Sequence, residues 1–195
     1  MNTFLGLEFF GKVEMMKAEQ QKEIEEQKKQ EEEEQKSLES TNALFATAAD
    51  AAAEEVVMKN DKIELTINTK GGTVEKAVVK NFKDREGNAD VTLFDKEDQS
   101  LKFVLMAKEM NISSENLVFQ KTEQTDTTLT LKAQAGEGKD ITIAYLLGKD
   151  YMLHMKLQAN GMEGIFPPNY NQMDINWKEK CKQQEKGFSF ENRYA

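Results

Sequence analysis

Residues 62–82 read KIELTINTKGGTVEKAVVKNF. Ile63, Leu65 and Ile67 alternate with Glu64, Thr66 and Asn68, which is the two-residue period of a strand with one buried face. Gly71-Gly72 supplies a turn. The chain then returns with Val74, Val78 and Phe82 on one side, so the stretch predicts a hairpin. Val79 interrupts the alternation and predicts a bulge.

The same kind of pattern recurs downstream. Short runs follow at 91–94 (VTLF), 101–105 (LKFVL), 117–120 (LVFQ), 128–133 (TLTLKA), 140–147 (DITIAYLL) and 151–159 (YMLHMKLQA). Arg85-Glu86-Gly87-Asn88, Gly136-Glu137-Gly138 and Gly148-Lys149-Asp150 provide loops between them. No interval holds an amphipathic stretch long enough for a helical crossover between parallel strands, so the runs predict an antiparallel meander. The expected fold class is all-β, an antiparallel sandwich.

Upstream, residues 17–40 read KAEQQKEIEEQKKQEEEEQKSLES, in which only Ala18, Ile24 and Leu38 are apolar. A coiled-coil seam needs a sustained apolar repeat, and none is present. Glu25 with Lys29 and Glu32 with Lys36 favour helix, while four consecutive acids at 31–34 repel one another. A solvated, partly helical or disordered charged tether is expected. After it, Ala43, Leu44 and Phe45 are placed to seat one helical turn on the domain surface. The first sixteen residues contain Phe4, Leu5, Leu7, Phe9, Phe10 and Val13, but Glu8, Lys12 and Glu14 interrupt them. A membrane span needs about 20 mostly apolar residues, so this reads as a short amphipathic stretch. The expected division is 1–16 for that stretch, 17–57 for the tether and 58–195 for the sandwich domain.

The chain of 195 residues has 26 Lys and Arg against 35 Asp and Glu, a formal net charge of −9. Duplex binding requires clustered cations to neutralise phosphates, so nucleic acid is not an expected partner. One cysteine, Cys181, and one histidine, His154, leave neither a disulfide nor a paired-residue metal site, and no metal or cofactor is expected. Alternation places His154 on the solvent face of its strand, opposite in sense to Leu153, Met155 and Leu157. Neither glycine pair precedes a Lys-Ser or Lys-Thr ending, so phosphate cradling is not expected. Asn111-Ile112-Ser113 fits a glycosylation acceptor and reads as part of a loop. No catalytic residue is assigned.

The segment 166–177, FPPNYNQMDINW, is the least routine stretch. Phe166-Pro167-Pro168 imposes extended backbone, and Tyr170 and Trp177 bring large amphipathic rings to the domain edge. Phe166, Tyr170 and Trp177 are the candidate residues for a partner or ligand groove. The alternative is a connection whose rings cover an exposed sheet end.

The hairpin motif Thr66-Ile67-Asn68-Thr69-Lys70-Gly71-Gly72, with Asn81-Phe82 after it, resembles the opening of the large periplasmic domain of the YidC membrane protein insertases. Val91-Thr92-Leu93-Phe94-Asp95, Met173-Asp174-Ile175-Asn176-Trp177, Glu185-Lys186-Gly187-Phe188 and Glu191-Asn192-Arg193-Tyr194 extend the resemblance across roughly residues 42–195. It implies a β-supersandwich similar to galactose mutarotases, borne by a bacterial inner-membrane protein and lying in the periplasm. It further implies partners among nascent membrane proteins and Sec translocon components, with the insertion groove itself in transmembrane helices that no residue here matches. The chain is expected to be a fragment whose unpaired sheet edges favour aggregation. Two alternatives are a carbohydrate-binding sandwich and a free-standing periplasmic scaffold.

Overall fold

A computed structural model describes residues 4–49, 51–108, 110–169, 172–180, 182–184 and 187; for 4–19, 37, 47 and 49 the backbone alone is described. The chain divides into two units, 1–39 and 40–195. The first is occupied by the greater part of helix α1 (Phe4–Leu44), 41 residues long. Helix is therefore continuous where a partly helical tether was expected. Oppositely charged side chains three and four residues apart recur along it and offset the repulsion within 31–34. Ile24 is half exposed, as expected where there is no apolar seam. No helix among the described residues is long and apolar enough to cross a membrane.

The second unit opens with the end of α1 and a short helix, α2 (Ala46–Ala49). The turn between them goes deeper than a surface seat. Thr41 and Phe45 are fully buried and Ala48 nearly so, with the Thr41 hydroxyl 3.4 Å from the Asn111 carbonyl that accepts its bond. Eleven strands follow among the described residues: β1 (Glu55–Lys59), β2 (Ile63–Asn68), β3 (Thr73–Lys83), β4 (Asp90–Phe94), β5 (Gln99–Met106), β6 (Asn111–Ser113), β7 (Gln120–Gln124), β8 (Thr128–Gln134), β9 (Asp140–Leu147), β10 (Leu153–Asn160) and β11 (Asp174–Glu179). All pairings between them are antiparallel and build three sheets, ordered β1-β2-β3-β4, β10-β9-β8-β7 and β11-β5-β6. The architecture is an all-β sandwich.

Alternation produces the layers. Ile63, Leu65 and Ile67 from β2, Leu129, Leu131 and Ala133 from β8, and Ile141, Ile143 and Tyr145 from β9 all turn into one core, joined by Leu105 and Ile112 from the third sheet. Burying each of these leucine and isoleucine side chains contributes about 1.5–3 kcal/mol.

Several details differ from the pattern in the sequence. The β2–β3 bulge falls opposite Thr66 and Ile67, where Glu75 is the extra residue, while Val79 pairs regularly with Ile63. Against β4 the register shifts between Val79 and Lys83, around Asn81 with its positive φ of 68°. Residues 117–119 form no strand. Leu117, Val118 and Phe119 are all buried because the segment crosses between layers, held by Gly71 N–H to the Leu117 carbonyl and Phe119 N–H to the Thr69 carbonyl. Asn111-Ile112-Ser113 is strand β6, with Ile112 in the core.

Two substitutions test this packing. Phe45→Ala is expected to destabilise the second unit by about 3–5 kcal/mol in urea denaturation, since a fully buried ring leaves a cavity. Gly72→Ala is expected to cost roughly 2 kcal/mol, because the added carbon meets Ile143 Cδ1 at 2.6 Å on backbone with φ +61°.

Candidate interaction groove

After β10 the chain reverses at Gly161, and Met162 drops into the core with 1% of its surface exposed. The Met162 carbonyl accepts from Ile165 N–H at 2.9 Å and from Phe166 N–H at 3.3 Å, which winds the segment back over the sheet. Lys108 fastens it from the β5–β6 loop: its N–H donates to the Ile165 carbonyl at 3.0 Å and its Nζ to the Gly164 carbonyl at 3.1 Å. Pro167 follows, and Pro168 enters a turn with Asn169, whose φ is 66°.

This path leaves a groove of about 560 Å³ between β10, β5 and the residues before β11. Leu105 and Met162 form its floor, with Leu157, Phe166, Pro167 and Met173 among its walls; Glu163, Asn169 and Gln172 supply the polar members of the lining. The surface is predominantly apolar with a few polar groups, the composition of a site for an apolar ligand or segment.

The three residues picked out in the sequence fare differently. Phe166 is half buried and lines the groove. Tyr170 lies outside the described residues. Trp177 stands on β11 opposite Leu101, 66% exposed, and is not among the lining residues. Leu105, Leu157, Met162 and Met173 were not singled out. The inward row of β10 was visible as alternation, but its meeting with β5 is a tertiary contact. His154 is exposed on the outer face of β10, and Cys181 lies outside the described residues. Among the described residues no group of three or more His, Cys, Asp or Glu is placed to hold a metal ion.

A second cavity, about 520 Å³, is charged and mixed in sign. Lys182 Nζ lies 2.6 Å from Asp98 Oδ2 and 3.5 Å from Asp95 Oδ2; Gln184 donates to the Thr92 carbonyl at 3.0 Å and Arg85 to Gln183 Oε1 at 3.3 Å. These bonds strap the chain after β11 across the β4–β5 turn. The bond from Lys182 holds the Asp98 carboxyl below the ordinary 3.8, and Asp98 in turn raises Lys182.

The sequence family described as the YidC periplasmic domain matches residues 55–195. This chain belongs to that family. A membrane protein insertase YidC from Phocaeicola vulgatus is 38% identical over 159 residues, covering 81% of this chain and 25% of that protein. The YidC of Bacteroides fragilis is 30% identical over 154 residues, covering 78% and 25%. The chain thus spans about a quarter of the length of these curated YidC relatives. No solved structure matches it.

The strap has a pH signature. Asp98 is depressed in the folded chain, so its contribution is present above the ordinary carboxylate value and is lost as pH falls through the folded one. Hydrogen exchange in the segment carrying Lys182 is expected to be slower in the wild type than in Asp98→Asn near neutral pH. The difference should close in acid below about 3.8.

Proposed function

We propose that this chain is the periplasmic interaction region of an inner-membrane insertase of the YidC type, assisting the insertion and folding of membrane proteins, alone or with Sec translocon components. Its part is contact, and it makes or breaks no bond. The observation that carries the reading is the groove at Phe166, an apolar recess walled by flexible Met173 and rigid Pro167, suited to side chains of an incoming apolar segment. The charged helical arm acts as a spacer for the sandwich. Acidic residues in excess keep the unit off an anionic bilayer surface.

Sugar binding through stacked rings has weaker support. Phe166 is the one aromatic ring among the described lining residues, and Trp177 is not beside it there.

A photo-crosslinking side chain placed at Phe166 in the full-length protein is expected to capture newly made membrane proteins or a secretion component in cells. The same side chain at His154, on the outer face, serves as the comparison. Equal labelling at both positions, or none at either, overturns the assignment of the groove.

A further inference from the structure

The groove is bordered by a sheet edge, and the six edges among the described residues are unlike one another. β4 meets β3 with two register shifts and carries Gln184 on its Thr92 carbonyl. β7 has a shift between Lys121 and Glu123. β1 and β6 are short, at five and three residues, and β11, at six residues, is exposed along its whole length. β10 has eight residues in unbroken register with β9, without bulge or proline. Protein edges are ordinarily blunted by bulges, prolines, charge or brevity, and here Lys156 is the only charged residue of that kind in the strand.

The hydrogen-bond phase says which backbone groups this edge presents. Gly148 N–H donates to the Met152 carbonyl at 2.9 Å, while Leu147 N–H donates across the other side of β9 to the Thr127 carbonyl. Bonded pairs recur at every second residue of an antiparallel ladder. His154, Lys156, Gln158 and Asn160 therefore exchange bonds with β9. Leu153, Met155, Leu157 and Ala159 turn N–H and C=O to the open side, and Leu157 and Ala159 also line the groove.

We propose that β10 accepts an extended segment of a partner polypeptide as a fifth strand of its sheet. The segment's alternate apolar side chains enter the groove and its acidic side chains lie on the outer face. This deepens the groove reading above and rests on it. Backbone pairing supplies affinity and the groove supplies side-chain selection, as in other strand additions. Charge selects the outer row: Lys156 stands opposite Ala144, so it meets no carboxylate across the ladder. A second copy of this chain is a poorer occupant. The Met155 and Leu157 it brings are already packed against its own core.

The test titrates short fluorescein-labelled peptides into the full chain and follows anisotropy. One peptide alternates valine with glutamate, one valine with lysine and one serine with glutamate. The valine–glutamate peptide is expected to bind tightest. N-methylation of every second amide should abolish its binding in one register and spare it in the other. Ala159→Pro removes an edge-facing N–H at a site where an edge strand tolerates proline, and should weaken binding about tenfold with an unchanged circular dichroism spectrum. Lys156→Glu should reverse the preference between the glutamate and lysine peptides. Strand addition is overturned, and the groove reading kept, if Phe166→Ala weakens binding while neither N-methyl register nor Ala159→Pro has any effect. Both are overturned if no peptide binds. Concentration-dependent dimers in sedimentation that exclude the peptides overturn the choice of occupant.

Discussion

The close approach of the β2–β3 turn to β9 is the contact on which the rest of the sandwich is arranged. Within the interior the Gly72 carbonyl accepts a 2.6 Å bond from the Tyr145 hydroxyl, and a methyl group at Gly72 would collide with Ile143. Burial drives the Tyr145 hydroxyl well above its ordinary pKa, so it stays protonated and remains a donor. An unmatched carbonyl at this depth would cost about 1–3 kcal/mol. The turn of one sheet is thereby fixed against a central strand of another, and Leu117 and Phe119 close over it from the crossing segment.

With β8 and β9 committed to that interior, β10 is the outer strand of its sheet among the described residues. Its far end is held by a polar cluster. Burial raises the Asp140 carboxyl, but bonds from Thr142, Asn160 and Lys132 outweigh it and hold the group below its ordinary value. Asn160 on β10 is tied in this way to Asp140 on β9 at 2.8 Å. The strand is paired along one side to β9, and among the described residues its other side is unpaired.

The match to the YidC periplasmic-domain family spans residues 55–195, and the groove lies within that span. The relatives it matches are named membrane protein insertases, and it spans about a quarter of their length. The groove is predominantly apolar, with Leu157, Phe166 and Met173 half buried along it. The charged arm of unit one is helical along its described length, and residues 20–36 are exposed with no apolar stripe among them.

The hairpin at 63–83, the strands at 128–134 and 140–147 and the outward setting of His154 were legible in the sequence, since period-two alternation reports which face is buried. β11 was not read as a strand, because all six of its residues are exposed and no buried row marks it. Phe166 was recognisable as an unusual ring beside two prolines, yet its groove partners Leu105 and Met173 lie far from it or across a turn in the chain. The sequence by itself determined most strand faces, the turns and the family, all of which depend on neighbours in the chain or on a linear motif, while it left the charged arm between partly helical and disordered. Tertiary structure alone decided the burial of Phe45, the separation of Trp177 from the groove and the open edge of β10. Each of these depends on which sheet packs against which, and local periodicity carries no information about that.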